Sequence, residues 1–112
     1  GKDRLSAPRI LLVDDDRDFV SVMSENLTFE GFRTISHTDS EHARDWLLDD
    51  GACDVILLDW YMPKLSGLSF LREIRDRKIH TPVVILTGVN KDEIEDAALA
   101  LGAVDFIDKT RR

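Results

Sequence analysis

Val55-Ile-Leu-Leu-Asp-Trp-Tyr-Met-Pro63 runs through four apolar residues, ends them on an acid and then reaches a proline. A continuously apolar run, as opposed to an alternating one, suits a strand whose sheet is covered by helices on both faces. Ile10-Leu-Leu-Val13 and Val83-Val-Ile-Leu86 have the same character. Phe32 to Ile35 and Val104 to Ile107 complete a regular rhythm, which predicts five strands around a parallel core.

Helical patterns lie between these runs. Phe19, Val20, Met23 and Leu27 share one face, as do Leu68, Leu71 and Ile74, and Ile94, Ala97, Ala98 and Leu101. Ser40 to Leu48, with Ala43, Trp46 and Leu47, is a weaker fourth segment. Gly31 and Gly102 follow the first and last helical patterns, where glycine ends a helix in the left-handed conformation. Strand and helix alternate with no internal repeat or long linker, and right-handed crossovers then give a doubly wound, three-layer α/β domain. After the fifth strand, Lys109-Thr110-Arg111-Arg112 leaves no length for a closing helix, so one sheet face is expected to be under-covered.

Composition bounds the function. The 112 residues fit one domain, and 43% hydrophobic with 33% charged residues is the balance of a chain that folds. Acids outnumber bases 22 to 15, for a net charge of -7, which argues against direct nucleic-acid binding by this domain. A single cysteine, Cys53, and no zinc-like spacing suggest a reducing, cytoplasmic setting. No apolar run approaches the ~20 residues that a membrane-spanning helix needs.

In an open parallel sheet, functional groups gather at the carboxyl ends of the strands. Asp14, Asp15 and Asp16 follow the first strand, Asp59 the third, Thr87 the fourth and Lys109 the fifth. Capping the next helix accounts for Asp16. It accounts less well for Asp14 and Asp15, which would repel Asp59 unless protonated or paired with a cation. Mg²⁺, which takes one or two carboxylates together with a phosphate, resolves that conflict. A carboxylate can attack phosphorus to form an acyl phosphate. A hydroxyl and an ammonium, here Thr87 and Lys109, position and neutralise the transferred oxygens.

Ile10-Leu-Leu-Val-Asp-Asp-Asp16, Val55-Ile-Leu-Leu-Asp-Trp-Tyr-Met-Pro63, Val83-Val-Ile-Leu-Thr-Gly88 and Phe106-Ile-Asp-Lys109 together resemble the receiver domain of two-component response regulators, the chemotaxis regulators among them. Each motif is weak alone, but their order and placement at strand ends make the combined signal strong. The resemblance covers Arg9 to Lys109, leaving residues 1–8 as an N-terminal extension and 9–112 as a receiver domain truncated after its fifth strand. It implies a flavodoxin-like sheet in the order 2-1-3-4-5. It further implies that Asp59 accepts a phosphoryl group from a phosphohistidine of a sensor histidine kinase or phosphotransfer protein. Asp14, Asp15, Asp59 and the Tyr61 backbone carbonyl would hold Mg²⁺, and Thr87 and Lys109 would contact the phosphoryl oxygens. Phe106 would act with Thr87 as a switch, the loop from Gly88 to Asp92 moving with them; Gly88 leaves access to the site whereas Tyr61 and Val89 could obstruct water, so the lifetime of the acyl phosphate stays open. Such a domain catalyses only its own phosphorylation and dephosphorylation, and it controls an output domain or partner protein, in some cases as a homodimer.

Two features depart from the family pattern. Receivers usually carry proline after the lysine, often in a cis peptide, where this chain has Thr110. The fifth helix, which in the family packs beside the first, has no counterpart here. Alternative readings fit less well. A scaffold that works by contact alone would not need the full set Asp14, Asp15, Asp59, Thr87 and Lys109. A flavin or dinucleotide binder wants a Gly- or Ser/Thr-rich first loop, and this one presents acids. The Asp14-x-Asp16 spacing matches a dehalogenase-like phosphohydrolase, a coincidence that an assay on a generic phosphate ester would expose. His37, His42 and His80 form no catalytic pattern, and Trp46 and Trp60 read as packing residues.

Overall fold

The computed structural model describes residues 6–88 and 91–110. Strands β1 (Arg9–Val13), β2 (Arg33–His37), β3 (Val55–Asp59), β4 (Val83–Thr87) and β5 (Ala103–Asp108) alternate with helices α1 (Arg17–Phe29), α2 (Ser40–Leu48), α3 (Gly67–Asp76) and α4 (Lys91–Ala100). All strand pairs are parallel, as the apolar runs predict, and the order is β2-β1-β3-β4-β5, as the family resemblance implies. Reversal of the strand order between β1 and β3 opens a crevice at their carboxyl ends, where Asp14 and Asp59 stand.

The three apolar runs are the three central strands, and their residues are almost wholly buried. Alternate residues feed two cores. Leu11, Val13, Ile56, Leu58, Val83 and Ile85 pack with Phe70, Leu71 and Ile74 of α3 and Ile94 and Ala98 of α4. Ile10, Leu12, Leu57 and Leu86 face the other way, against Val20 and the half-buried Phe19, Met23 and Leu27 of α1. The second core is the smaller one, and among the described residues no helix follows β5. A groove lined by Phe19, Val22, Met23, Asn26, Gly88 and Thr110 lies along that side of α1, so the expected under-covered face is present.

The edge strands differ from their sequence reading. β2 begins at Arg33, one residue after the expected Phe32, and continues to His37. Its start is fixed by hydrogen bonds, not by apolarity: Arg33 donates from its backbone N–H to the Pro8 carbonyl (2.9 Å) and from Nε to the Ala7 carbonyl (2.9 Å). Phe32 instead donates to the Leu27 carbonyl (3.0 Å), and Gly31, at φ +97°, ends α1. In the β4-β5 pair Val83 faces Ala103 and Val84 faces Asp105, so Val104 of β5 bulges out and is 62% exposed. Leu101 lies just beyond α4 in the turn that Gly102 closes.

Candidate functional site

Asp14 continues directly from β1, and its backbone N–H donates to the carbonyl of His37 at the end of β2 (3.2 Å). The side chain is fully buried, with Oδ1 accepting from the Asp16 N–H (2.9 Å). Asp16 caps α1 as expected, accepting from the Phe19 N–H (3.1 Å). The first-loop acids therefore divide their work. Asp16 serves the helix, Asp14 faces the crevice from below, and Asp15 is exposed at its mouth.

Asp59 ends β3 and is 6% exposed. Oxygens of Asp14, Asp15 and Asp59 lie within 4.8 Å of one another. Burial, and then the Asp14 charge, push the Asp59 carboxyl up to about 7, while the Lys109 ammonium pulls it down. Lys109 reaches in from the end of β5, with Nζ 2.7 Å from Asp14 Oδ2 and 3.7 Å from Asp59 Oδ2. Asp14 Oδ2 has no hydrogen bond of acceptable angle, so the ammonium meets it as a charge more than as an aligned donor. Burial disfavours the Lys109 charge, but Asp14 above all, and then Asp59 and Asp16, outweigh it and hold its pKa above the ordinary lysine value. One ammonium thus faces three acids, a surplus of negative charge suited to a hard divalent cation with oxygen ligands.

Thr87, at the end of β4, is buried, and its carbonyl accepts from the Lys109 N–H (2.9 Å). No peptide bond among the described residues is cis, so Lys109-Thr110 is trans and the ammonium still reaches the acids. Phe106 is half-buried against the larger core, with Lys91 Nζ 5.2 Å from its ring centroid. Tyr61 is exposed. Val89 and Asn90, within the loop expected to move, lie outside the described residues, as do residues 1–5, 111 and 112.

Other residues support the site from outside the acidic, hydroxyl and ammonium set, and of these only Gly67 shows in the sequence, as a turn glycine before the third helix. Gly67 opens α3 directly beneath the Asp59 loop, and its N–H donates to the Trp60 carbonyl (2.8 Å). A Cβ at Gly67 would overlap the Asp59 carbonyl oxygen and sit 2.7 Å from Trp60 Cα. Ser40, buried at the start of α2, donates from Oγ to the Leu65 carbonyl (2.7 Å) and ties the same loop to the second helix. The Phe19 ring lies 4.8 Å from Lys109 Nζ and backs the ammonium. Trp60 is buried and Trp46 packs on the larger core beside His37, which makes both packing residues. Burial pushes the Cys53 thiol up to about 11, so it is protonated at neutral pH.

Known proteins resemble this chain in sequence and in fold. Residues 10–112 match the family model of the response regulator receiver domain. The chain is 44% identical over 101 residues to the transcriptional regulatory protein CpxR of Escherichia coli K12, covering 90% of this chain and 42% of CpxR. It is 30% identical over 100 residues to the response regulator SaeR of Staphylococcus aureus USA300, covering 89% and 43%. The receiver domain of Francisella response regulator 1452 superposes with a TM-score of 0.84 at 31% identity, covering 94% of this chain and 86% of that one. The chain thus spans less than half the length of the curated relatives it matches.

Proposed function

This chain belongs to the response regulator receiver domain family, and we propose that Asp59 is its phosphoryl acceptor, with Mg²⁺ held by Asp14, Asp15, Asp59 and the Tyr61 backbone carbonyl. The observation that carries the assignment is the convergence of three carboxylates within 4.8 Å around a nearly buried Asp59, with one ammonium to offset them. Bound Mg²⁺ would supply charge neutralisation and hold phosphoryl oxygens in line.

The chain's own residues account for the rest of the reaction. An Asp59 carboxylate oxygen attacks the phosphorus of a phosphohistidine on a sensor kinase or phosphotransfer protein. A P–O bond forms, the P–N bond breaks, and its electron pair leaves with the imidazole. The Lys109 ammonium and the Thr87 hydroxyl contact the transferred oxygens as charge builds on them. The acyl phosphate then brings new charge and acceptor oxygens to the crevice. Thr87 and Phe106 respond to it, biasing an equilibrium between two arrangements of the α4-β5 surface. The name of CpxR as a transcriptional regulatory protein supports an output through a further domain or partner. A cytoplasmic setting fits a phosphohistidine donor. A scaffold that works by contact alone gives no reason for an acid cluster with two buried members, Asp14 and Asp59, that carries an electrostatic cost.

Intact-protein mass after incubation with acetyl phosphate tests the proposal. The expected result is a gain of one phosphoryl group that requires Mg²⁺ and is absent from Asp59→Asn. Uptake undiminished in that variant would overturn the assignment. Thr87→Ala and Lys109→Ala are expected to keep Mg²⁺ binding while impairing the switch.

A further inference from the structure

Lys109 poses a positioning problem. It follows the strand with the most exposed residues in the sheet, in which only Ala103 is buried, yet its ammonium must be placed against two buried carboxylates. Packing of β5 does not supply that precision, and hydrogen bonds on both sides of the residue do. The Lys109 N–H is tied to the Thr87 carbonyl of β4 (2.9 Å). On the other side, a single oxygen, Asp108 Oδ1, accepts from both the backbone N–H (2.8 Å) and the hydroxyl (2.6 Å) of Thr110. These two bonds close a short ring that spans Lys109 and fixes the direction in which its side chain leaves the strand. A proline at position 110 would restrict the backbone through its ring and could not donate. Threonine offers two donors instead.

We propose that Asp108 and Thr110 form a clamp that positions Lys109 for phosphoryl transfer, through the two hydrogen bonds that converge on one carboxylate oxygen. The inference rests on the assignment of Lys109 to the transferred phosphoryl oxygens. A local turn that merely ends β5 would show the same bonds. The two differ in one respect: a clamp acts through the ammonium, and a turn does not.

A double-mutant cycle separates them, read as the rate constant of phosphorylation by acetyl phosphate with saturating Mg²⁺, from time courses of intact mass. Asp108→Ala is expected to slow the reaction about tenfold with donor half-saturation unchanged, as misplacement of a positioned group does. Asp108→Asn, which keeps the acceptor oxygen, and Thr110→Ser, which keeps both donors, are expected to stay within about twofold of the wild type. In a Lys109→Ala background, adding Asp108→Ala is expected to cost nothing further, because the group it positions is gone. Thr110→Val, which leaves the backbone donor in place, carries the same cycle with a loss of about threefold should Asp108→Ala fold poorly. A wild-type rate in folded Asp108→Ala, or the same tenfold loss with Lys109 already removed, would overturn the clamp. A wild-type rate in Lys109→Ala would overturn the role of Lys109, and the clamp with it.

Discussion

Strands β1 and β5 each deliver a charged residue to the same crevice, but by different physical means. β1 pairs with β2 and β3 and has helices over both faces, so all but its first residue are buried and Asp14 inherits its position from the core. β5 pairs with β4 alone, and five of its six residues are exposed or half-buried. Lys109 takes its position from local hydrogen bonds and from the carboxylates it meets. The acids of the site are therefore coupled to global stability and the lysine is not, which makes the two halves separable by mutation.

The largest expected effect falls on the buried half. Leu12→Ala in β1 removes a fully buried side chain and is expected to cost about 2 to 5 kcal/mol in urea unfolding. A cost no larger than that of an exposed residue would break the contrast. Gly67→Ala comes next, at about 1 to 3 kcal/mol, because its Cβ meets backbone of the Asp59 loop that cannot swing aside. It should also slow phosphoryl uptake, by displacing Asp59. A smaller effect of opposite sign is expected from Asp59→Asn, which removes a buried charge from beside Asp14 and should raise Tm in Mg²⁺-free buffer at pH 8. The sign follows from linkage. The folded pKa of Asp59, about 7, lies above the ordinary carboxylate value, so its contribution to stability is full at low pH and is lost as pH rises through about 7. The Tm advantage of the asparagine variant should accordingly shrink as pH falls from 8 towards 5, and an advantage independent of pH would contradict the account. Smallest of all, Ile107→Ala in β5, at a side chain 36% exposed, is expected to cost under about 1 kcal/mol.

The same contrast explains what could be read from the sequence. Ile10-Leu-Leu-Val13, Val55-Ile-Leu-Leu58 and Val83-Val-Ile-Leu86 announce buried strands because central strands must be apolar on both faces, and Asp14, Asp59 and Thr87 follow as their carboxyl ends. At the edges that rule weakens. Phe32 resembled the start of β2, but the backbone bonds of Arg33 decide it, and the bulge at Val104 leaves no trace in the local pattern. The supporting residues were harder to read for a related reason. Gly67 reads in the sequence as a turn glycine before the third helix, but its close approach to the backbone of Asp59 and Trp60, like the bond from Ser40 to Leu65, depends on contacts between separate segments. The place of Phe19 beneath Lys109 depends on packing across the crevice between α1 and β5. At Lys109-Thr110 the sequence showed only that threonine replaces the usual proline; the part of Asp108 as acceptor for Thr110 emerges from the structure.

The most direct test of the central claim is to locate the acyl phosphate. Protein phosphorylated by acetyl phosphate with Mg²⁺ is treated with borohydride, which reduces an aspartyl phosphate to homoserine, and the modified residue is read by peptide mass spectrometry. The account predicts homoserine at position 59 alone. Homoserine at position 14 or 15, or none in protein that has gained a phosphoryl group, would contradict it.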